Sequence, residues 1–554
     1  MTTVRDEAPP ASGGENKGLK GGALGLLSSI VIGVASTAPA YSLAATLGFV
    51  VAAVGLQAPV IMVLAFPPML FIAIAYSELN KAVPDCGTTF TWATKAFGPK
   101  TGWMGGWGII VADVIVMANL AQIAGQYGFL LFNADGLAES TFWVTVVGVL
   151  WIVVMTYICF RGIEISARMQ YGLLSIEVLM LALFSAVALI RVYSNHAAAE
   201  SLHPSLSWFN PFNITSFSTF SSAILLAVFI YWGWDTAVSV NEETKDPATT
   251  PGRAAVLSTV LLLATYAVVT VAAQAYAGTG EKGIGLGNPD NSGDVLSVLG
   301  NAVFGSGGIG TVLNHLLILM VLSSAAASTQ TTILPTARTS LSMAAYRAIP
   351  EKFAKIHPRY LTPTWSTVAM GIASIAFYLA MTALSSNLLA DTVASIGLLI
   401  AFYYGLTGFA SVWFFRSVLL RSRRDLLMKG VLPLLGGVML LAAFVKSSTD
   451  YAKPDFGNTS WQMPFSPHWA LGGVFLTGIG GLVLGVILMV IYRYVAPPFF
   501  LGRTLGRETP VLVAEDSTVV GGLRLPDAEE PRIIVPEPVA HEIGDPPPED
   551  QHEH

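Results

Sequence analysis

The chain has 554 residues, of which 53% are hydrophobic and only 12% are charged, with a formal net charge of -6 and a mean hydropathy of +0.62. A soluble domain carries roughly a quarter of charged residues, so this composition excludes an ordinary soluble protein and places the chain among membrane proteins. The sequence contains no phosphate-binding loop, zinc motif or catalytic-triad pattern, which predicts no cofactor, no metal site and no enzyme activity.

Apolar runs long enough to cross a bilayer recur along the chain. About 20 apolar residues are needed for one helical crossing. Because the first 19 residues are polar and no small-residue cleavage site follows the first run, we expect that run to remain as span 1. Twelve spans are predicted, near residues 22–50, 58–79, 105–132, 141–160, 169–190, 217–240, 254–277, 309–334, 366–384, 392–415, 430–445 and 470–495.

Positive charge is distributed unevenly between the loops. The loops on the N-terminal side of the membrane hold most of the Lys and Arg residues, whereas those on the other side hold only Arg191, Lys282, Lys446 and Lys453. Cytoplasmic loops carry the excess of positive charge. We therefore predict a multi-pass protein of the plasma (inner) membrane with both termini in the cytoplasm.

The two ends of the chain differ from its middle. Residues 1–20 form a polar cytoplasmic tail, residues 21–496 form the transmembrane domain, and residues 497–554 are rich in Pro, Glu and Asp. This last segment cannot bury enough apolar surface to offset its conformational entropy, so we predict that it is disordered. Cys86 and Cys159 both lie at predicted cytoplasmic ends of spans, where a disulfide is not expected.

Span 1 contains an interruption. Residues 31–48 read VIGVASTAPAYSLAATLG, and Pro39 removes a backbone donor in the middle of the span. The freed carbonyls need a protein, water or ligand partner in hydrocarbon. One interpretation is a simple proline kink, back-bonded by Ser36 and Thr37. The other is a half-helix pair that binds a ligand.

Span 6 contains a second interruption, which favours the latter interpretation. It reads FIYWGWDTAVSVN, with Gly233 and Asp235 inside the membrane segment. Interrupted segments at corresponding positions of two halves indicate an inverted-repeat transporter. We predict an all-α integral membrane protein of about twelve transmembrane helices, a five-plus-five inverted repeat with discontinuous spans 1 and 6. The repeats cover about 22–193 and 217–420, and spans 11 and 12 cover about 430–495.

Three blocks on the predicted cytoplasmic side resemble the signatures of the amino acid/polyamine/organocation (APC) superfamily, and the chain is identified as an amino acid permease of it. The block WGWDTAVSVNEETKDPATTPGRA follows the span 6 break, YSELNKAVPDCGTTFTWATKAFG follows span 2, and TARTSLSMAAYRAIPEKFAKIHPRYLTP follows span 8. The residues that carry the resemblance are Gly233, Trp234, Asp235, Glu242, Glu243, Pro247, Pro251, Pro84, Gly87, Phe90, Trp92, Phe97, Gly98, Arg338, Pro350, Phe353, His357 and Pro363.

The resemblance implies a substrate site at the two breaks. In span 1, only Gly33 matches the Gly-Ser-Gly break of many members, and the substrate carboxylate is expected at the backbone N–H groups of nearby residues. By family position, Trp232 or Trp234 is expected to close over the substrate. The implied substrate-binding residues are Ala35, Ser36, Thr37, Ala38, Tyr231, Trp232, Gly233, Trp234 and Asp235.

Glu177 in span 5 is the predicted ion-coupling residue. Some cation-type members of the superfamily carry a Lys at or near this position, where sodium lies in sodium-coupled relatives of the fold. We hypothesise that Glu177 binds and releases the coupling proton, because acids inside a membrane are functional candidates. The alternative is a permanently protonated side chain that joins two helices. Ser324 and Ser328 of span 8 either contribute hydroxyl ligands to a cation or serve helix packing.

Asp113 in span 3 is a further acid within the membrane. Asn119 and Gln122 follow it on the same helix and share its face only in part. Two interpretations stay open. These side chains either form a structural polar cluster or contribute to the substrate cavity.

The sequence therefore predicts a secondary active transporter that moves amino acids by alternating access, driven by protons. Alternatives are a polyamine or organic-cation transporter of the same fold, an amino acid exchanger and, in a different class, a channel or ligand sensor. The expected partners are a small-molecule substrate, a coupling proton or sodium ion and the lipid bilayer, without nucleic acid. Neither the amino acid nor the oligomeric state follows from the sequence.

Overall fold

A computed structural model describes residues 17–305, 307–385, 387–457, 459–462 and 469–511. Almost all regular structure in them is helical. A two-stranded antiparallel sheet between spans 11 and 12 pairs Trp461 with Leu471. The elements are α1 Leu26–Thr37, α2 Pro39–Val54, α3 Ala58–Ala82, α4 Thr89–Phe97, α5 Pro99–Leu130, α6 Asp135–Ala138, α7 Thr141–Arg161, α8 Ile163–Tyr193, α9 Phe217–Tyr231, α10 Thr236–Ser239, α11 Thr250–Ala277, α12 Val295–Phe304, α13 Gly308–Ala345, α14 Thr364–Leu384, α15 Leu388–Phe414, α16 Arg423–Asp425, α17 Leu432–Tyr451, β1 Ser460–Gln462, β2 Ala470–Gly472, α18 Gly473–Val495 and α19 Pro497–Phe500.

These helices account for the twelve predicted spans. Within the described residues, ten helical ranges are long and apolar enough to cross a membrane. The first, Leu26–Ala82, has 57 residues, or about 85 Å of helix, whereas a bilayer core is about 30 Å thick. A turn at Gly55–Gln57 divides it into spans 1 and 2. The shorter helix Phe217–Tyr231 supplies the first half of span 6. The predicted all-α fold class is confirmed.

Span 1 breaks where the sequence predicts. Ala38 adopts a left-handed conformation (φ 44°, ψ 67°), and its N–H donates to the carbonyl of Ala35. Pro39 then begins α2, where its missing N–H costs no helical hydrogen bond. The span therefore consists of two half-helices, α1 and α2, that meet at one left-handed residue.

Span 6 breaks over residues 232–235. The helix α9 ends at Tyr231, and the one-turn helix α10 begins at Thr236. Gly233 has φ +121°, a conformation that side chains rarely adopt. Both predicted discontinuities are thus present, one in each half of the chain.

The folded region is larger at both ends than the sequence indicates. Residues 497–511, predicted as the start of a disordered tail, pack onto the protein instead, because Phe499 stacks on Phe90 at a centroid distance of 5.5 Å and Leu505 is also buried. At the other end, Lys17 and Leu19 of the predicted polar tail are buried. Residues 1–16 and 512–554 lie outside the described residues.

Candidate functional site

The two breaks lie directly against each other. A Cβ atom added to Gly233 would lie 2.7 Å from the carbonyl oxygen of Ser36 and 3.0 Å from the amide nitrogen of Thr37. The hydroxyls of Ser36 and Thr236 are 2.8 Å apart, and Ser328 Oγ donates to the Ser36 carbonyl at 3.1 Å. Span 8 therefore satisfies one of the carbonyls that the span 1 break leaves without a helical partner.

A small polar cavity lies between the breaks. Its volume of about 10 Å³ is space for about one water molecule, so the site is closed. Of the predicted substrate-binding residues, Ser36, Thr37, Trp232, Gly233 and Asp235 line it, as do Asp113 and Ser328. The remaining lining residues are Tyr41, Ser42, Val116, Phe229, Thr236, Thr332 and Pro335.

Glu177 lies behind the cavity, against the start of α2. Its Oε1 accepts hydrogen bonds from the Ala40 N–H at 2.7 Å and from Ser324 Oγ at 2.7 Å. A carboxylate at a helix N-terminus is favoured by the unpaired N–H groups and the helix dipole. Glu177 Oε2 is buried and has no hydrogen-bond partner among the described residues. The structure thus brings together Glu177, Ser324 and the span 1 break, and leaves one carboxylate oxygen for a proton or a cation.

Trp232 and Trp234 have different surroundings. Trp232 lines the cavity, and its Nε1 donates to the hydroxyl of Tyr403. Trp234 is fully buried outside the cavity, with its ring 5.1 Å from Tyr76 and 5.0 Å from Tyr404 between centroids. Of the two candidate gates, only Trp232 is placed where it could cover a substrate.

Two carboxylates face the cavity. Asp113 accepts a hydrogen bond from Thr336 Oγ1, and Asp235 accepts one from the hydroxyl of Tyr403 at 3.1 Å. Both aspartates are almost fully buried, at 2% and 4% exposure. None of the described lining residues is Lys, Arg or His. Because isolated buried carboxylates are costly, this site favours a proton or a positively charged group beside each acid.

Several predicted residues lie near the cavity without lining it. Ala35 and Ala38 form the end of α1 and the break, and the hydroxyl of Tyr231 donates to the carbonyl of Met62. Asn119 accepts a hydrogen bond from Tyr41 and donates to Thr392, so it positions a lining side chain from behind. Gln122 accepts a hydrogen bond from Tyr378 in span 9. The polar residues of span 3 therefore divide between the cavity, its support and helix packing.

Sequence reasoning missed several lining residues. Tyr41 and Ser42 follow Pro39 in α2, so their position one turn beyond the break was an available signal. Thr332 and Pro335 continue the face of span 8 that carries Ser328, at roughly the helical spacing of three and four residues. Val116 and Phe229 are apolar residues in apolar helices, and no sequence pattern distinguishes them from packing residues.

A closed polar cavity between two interrupted helices, surrounded by long apolar helices, is the arrangement of the inverted-repeat class of membrane proteins. Comparison with known families gives the same result more specifically. The model of the amino acid permease family matches residues 24–491. The chain belongs to the amino acid permease family.

Curated relatives are similar to the chain at low identity. The branched-chain amino acid permease BcaP of Lactococcus lactis is 27% identical over 36% of the chain and 44% of that protein, and BcaP of Bacillus subtilis is 27% identical over 55% and 63%. The low-affinity putrescine importer PlaP of Escherichia coli is 22% identical over 76% and 88%. The matches with the two branched-chain permeases cover less than two thirds of their lengths. All three names describe transport proteins rather than enzymes.

Proposed function

We propose that the chain moves amino acids across the plasma membrane by alternating access and couples their uptake to protons through Glu177. The observation that carries this proposal is the contact between the two breaks at a closed cavity, with the Glu177 carboxyl bound to the first turn of α2. Movement of α2 against span 8 would change the hydrogen bonds of Glu177, and so its affinity for a proton. Sodium at the same position and amino acid exchange are the alternatives.

The substrate carboxylate is proposed to bind at the breaks. The N–H of Gly233 faces the cavity region and donates to no acceptor among the described residues, whereas the N–H groups of Ala40 and Tyr41 already donate to Glu177 and Ser324. A free N–H beside the hydroxyls of Ser36 and Ser42 suits an anionic group. Trp232 is the proposed cover over the bound substrate.

The orientation proposed from the loop charges places both termini in the cytoplasm. In this arrangement, the Lys17 side of the protein faces the cytoplasm, and the loop between α11 and α13, which contains α12, faces outward. The domain boundaries proposed here are 17–25 for the described N-terminal segment, 26–495 for the transmembrane domain and 496–511 for the described C-terminal segment. The chain is proposed to have no enzymatic activity.

Uptake into proteoliposomes tests the proposed function. Labelled leucine, lysine and putrescine are supplied one at a time, with an inward proton gradient of about one pH unit imposed in sodium-free buffer. One coupled proton per substrate supports up to about tenfold accumulation under these conditions, since one pH unit corresponds to about 1.4 kcal/mol. Accumulation that needs sodium instead would replace the coupling ion, and a lack of uptake and counterflow for every substrate would contradict transport itself.

A second candidate, transport of an amine-bearing substrate, is favoured by Asp113 and Asp235. Two carboxylates and the ring of Trp232 around one cavity suit an ammonium group. We expect Asp113→Asn to lower uptake of lysine or putrescine by roughly tenfold or more, because truncating one partner of a buried charge pair costs about 2–5 kcal/mol. Leucine uptake should change by less than about twofold, since Asn keeps the hydrogen bond from Thr336 and a neutral side chain needs no acid.

The control for this comparison is Asp135→Asn, at an exposed acid in the loop after span 3. It should leave the uptake of all three substrates unchanged. Equal losses of leucine and lysine uptake in Asp113→Asn would show that Asp113 does not select for an amine.

A further inference from the structure

A second cluster of buried charges lies outside the cavity, where the N-terminal segment meets the loop after span 2 and the end of span 6. Lys17 Nζ is 2.7 Å from Asp85 Oδ2 and 2.6 Å from Glu242 Oε1, and all three side chains have 0% exposure. Lys17 belongs to the segment predicted as a solvated tail, so this contact corrects that prediction. Asp85, Cys86 and Glu242 lie close enough together to hold a metal ion. In this protein the ammonium group of Lys17 supplies the positive charge among them.

The cluster joins several elements on one side of the membrane. The hydroxyl of Tyr346, at the end of span 8, donates to Asp85 Oδ2 at 2.7 Å, and its ring lies 5.5 Å from Lys17 Nζ. The Tyr346 carbonyl accepts a hydrogen bond from Thr504 Oγ1 at 2.6 Å. Tyr346 therefore contacts both the N-terminal and the C-terminal segment.

The N-terminal segment is also tied to span 1. The Leu24 N–H donates to the carbonyl of Glu243 at 3.0 Å, and the Lys245 N–H donates to the carbonyl of Leu24 at 2.8 Å. Glu243 in turn pairs with Arg338 of span 8 at 2.8 Å. The half-helix α1 begins two residues after Leu24, so a movement of α1 away from span 6 would pull on this segment.

We propose that Lys17 is a latch that closes the N-terminal side of the transport path by holding Asp85 and Glu242 together. This inference rests on the alternating-access function proposed above. To open on this side, α1 and the end of span 6 must separate from the loop after span 2. Lys17 then leaves at least one of its two carboxylates, which would remain buried without a cation unless water enters.

The charge on Lys17 persists under ordinary conditions. Burial by itself lowers the pKa of Lys17, but the adjacent carboxylates of Asp85 and Glu242 more than offset it and raise the pKa well above its ordinary value. The latch is therefore an ion pair with two acceptors rather than a neutral hydrogen bond. Its opening is set by the conformation of the protein, not by the loss of a proton.

Cys86 provides a native reporter for this closure. Its Sγ lies 3.7 Å from Lys17 Nζ and the residue is fully buried, and burial raises the pKa of the thiol well above its ordinary value. Thiol reagents attack the exposed thiolate, so Cys86 should react with a maleimide only when the latch opens. A Cys159→Ser background removes the second cysteine of the chain.

The test measures maleimide labelling of Cys86 in the full chain, reconstituted in liposomes and exposed to a membrane-permeant reagent. We expect Lys17→Gln to increase the labelling rate by roughly tenfold or more, because two buried acids lose their cation. Lys17→Arg should remain close to the unsubstituted protein. Lys100→Gln is the matched control, since Lys100 is an exposed lysine on the same side of the protein, and it should leave the rate unchanged.

Glu242→Gln is the second variant, in case Lys17→Gln does not fold. It keeps the Lys17 to Asp85 pair and an oxygen to accept from the Cys86 N–H, so we expect an intermediate labelling rate. Labelling at the control rate in each folded variant of this pair would overturn the latch. Labelling requires no substrate, so faster labelling together with an absence of uptake in the unsubstituted protein would support the closure and contradict the proposed transport function.

Discussion

We expect Glu177→Gln to abolish proton-driven accumulation while leaving exchange of substrate across the membrane intact. Glutamine has the size of glutamate and retains a carbonyl oxygen that can accept from the Ala40 N–H and from Ser324. It cannot bind and release a proton, so the position is kept and the coupling chemistry is lost. With a gradient of about one pH unit, the accumulation ratio should fall from as much as tenfold to about one.

Two assays on the same liposomes separate coupling from folding. Accumulation under an imposed proton gradient reports coupling, and counterflow with substrate on both sides reports the conformational cycle without net proton movement. Glu139→Gln, at an exposed acid in the loop before span 4, is the control and should accumulate substrate normally. If Glu177→Gln still concentrates substrate under the gradient, Glu177 is a structural residue and another group carries the proton.

The second large effect is expected at the contact between the two breaks. Gly233→Ala should reduce uptake by at least about tenfold, because the new Cβ meets backbone atoms of Ser36 that cannot rotate away. Overpacking of this kind costs about 1–3 kcal/mol, and a positive φ at a residue with a side chain adds about 1–3 kcal/mol. Each 1.4 kcal/mol corresponds to about a tenfold change. The substitution should force the breaks apart and disturb the cavity.

Uptake and the amount of protein in the membrane must both be measured for this variant. Gly172→Ala is the matched control, since Gly172 lies in span 5 and a Cβ there would meet nothing within 4 Å. That control should transport normally. Normal uptake by Gly233→Ala at a normal protein level would mean that the close contact between the breaks is not needed for transport.

The breaks themselves were predictable from the sequence because their causes are local. Pro39 cannot continue a helix that begins before it, and Gly233 supplies the backbone conformation that the second break requires. The apolar runs likewise fixed the spans, since a bilayer imposes their length. For Glu177, the resemblance to the superfamily gave the position, and the structure places the residue against Ser324 and α2 as expected. Its role in coupling remains a prediction.

Other features depend on contacts between distant parts of the chain. The choice between Trp232 and Trp234 depends on which ring Tyr76 and Tyr404 enclose, and neither is close in sequence. The burial of Lys17 depends on Glu242, at a sequence separation of 225 residues. A lysine in a polar N-terminal segment normally stays in water, so no local pattern marks this one as part of an ion pair.

The order in the C-terminal segment sets where the chain can be shortened or joined to another protein. Lys95 is buried and its ammonium group donates to the carbonyls of Gly506, Arg507 and Thr509, while Phe499 covers Phe90. Cutting directly after span 12 would strip these acceptors from Lys95 and expose an aromatic surface to water. A fluorescent protein or purification tag is therefore better attached beyond Val511, where the described contacts with the transmembrane domain are all retained.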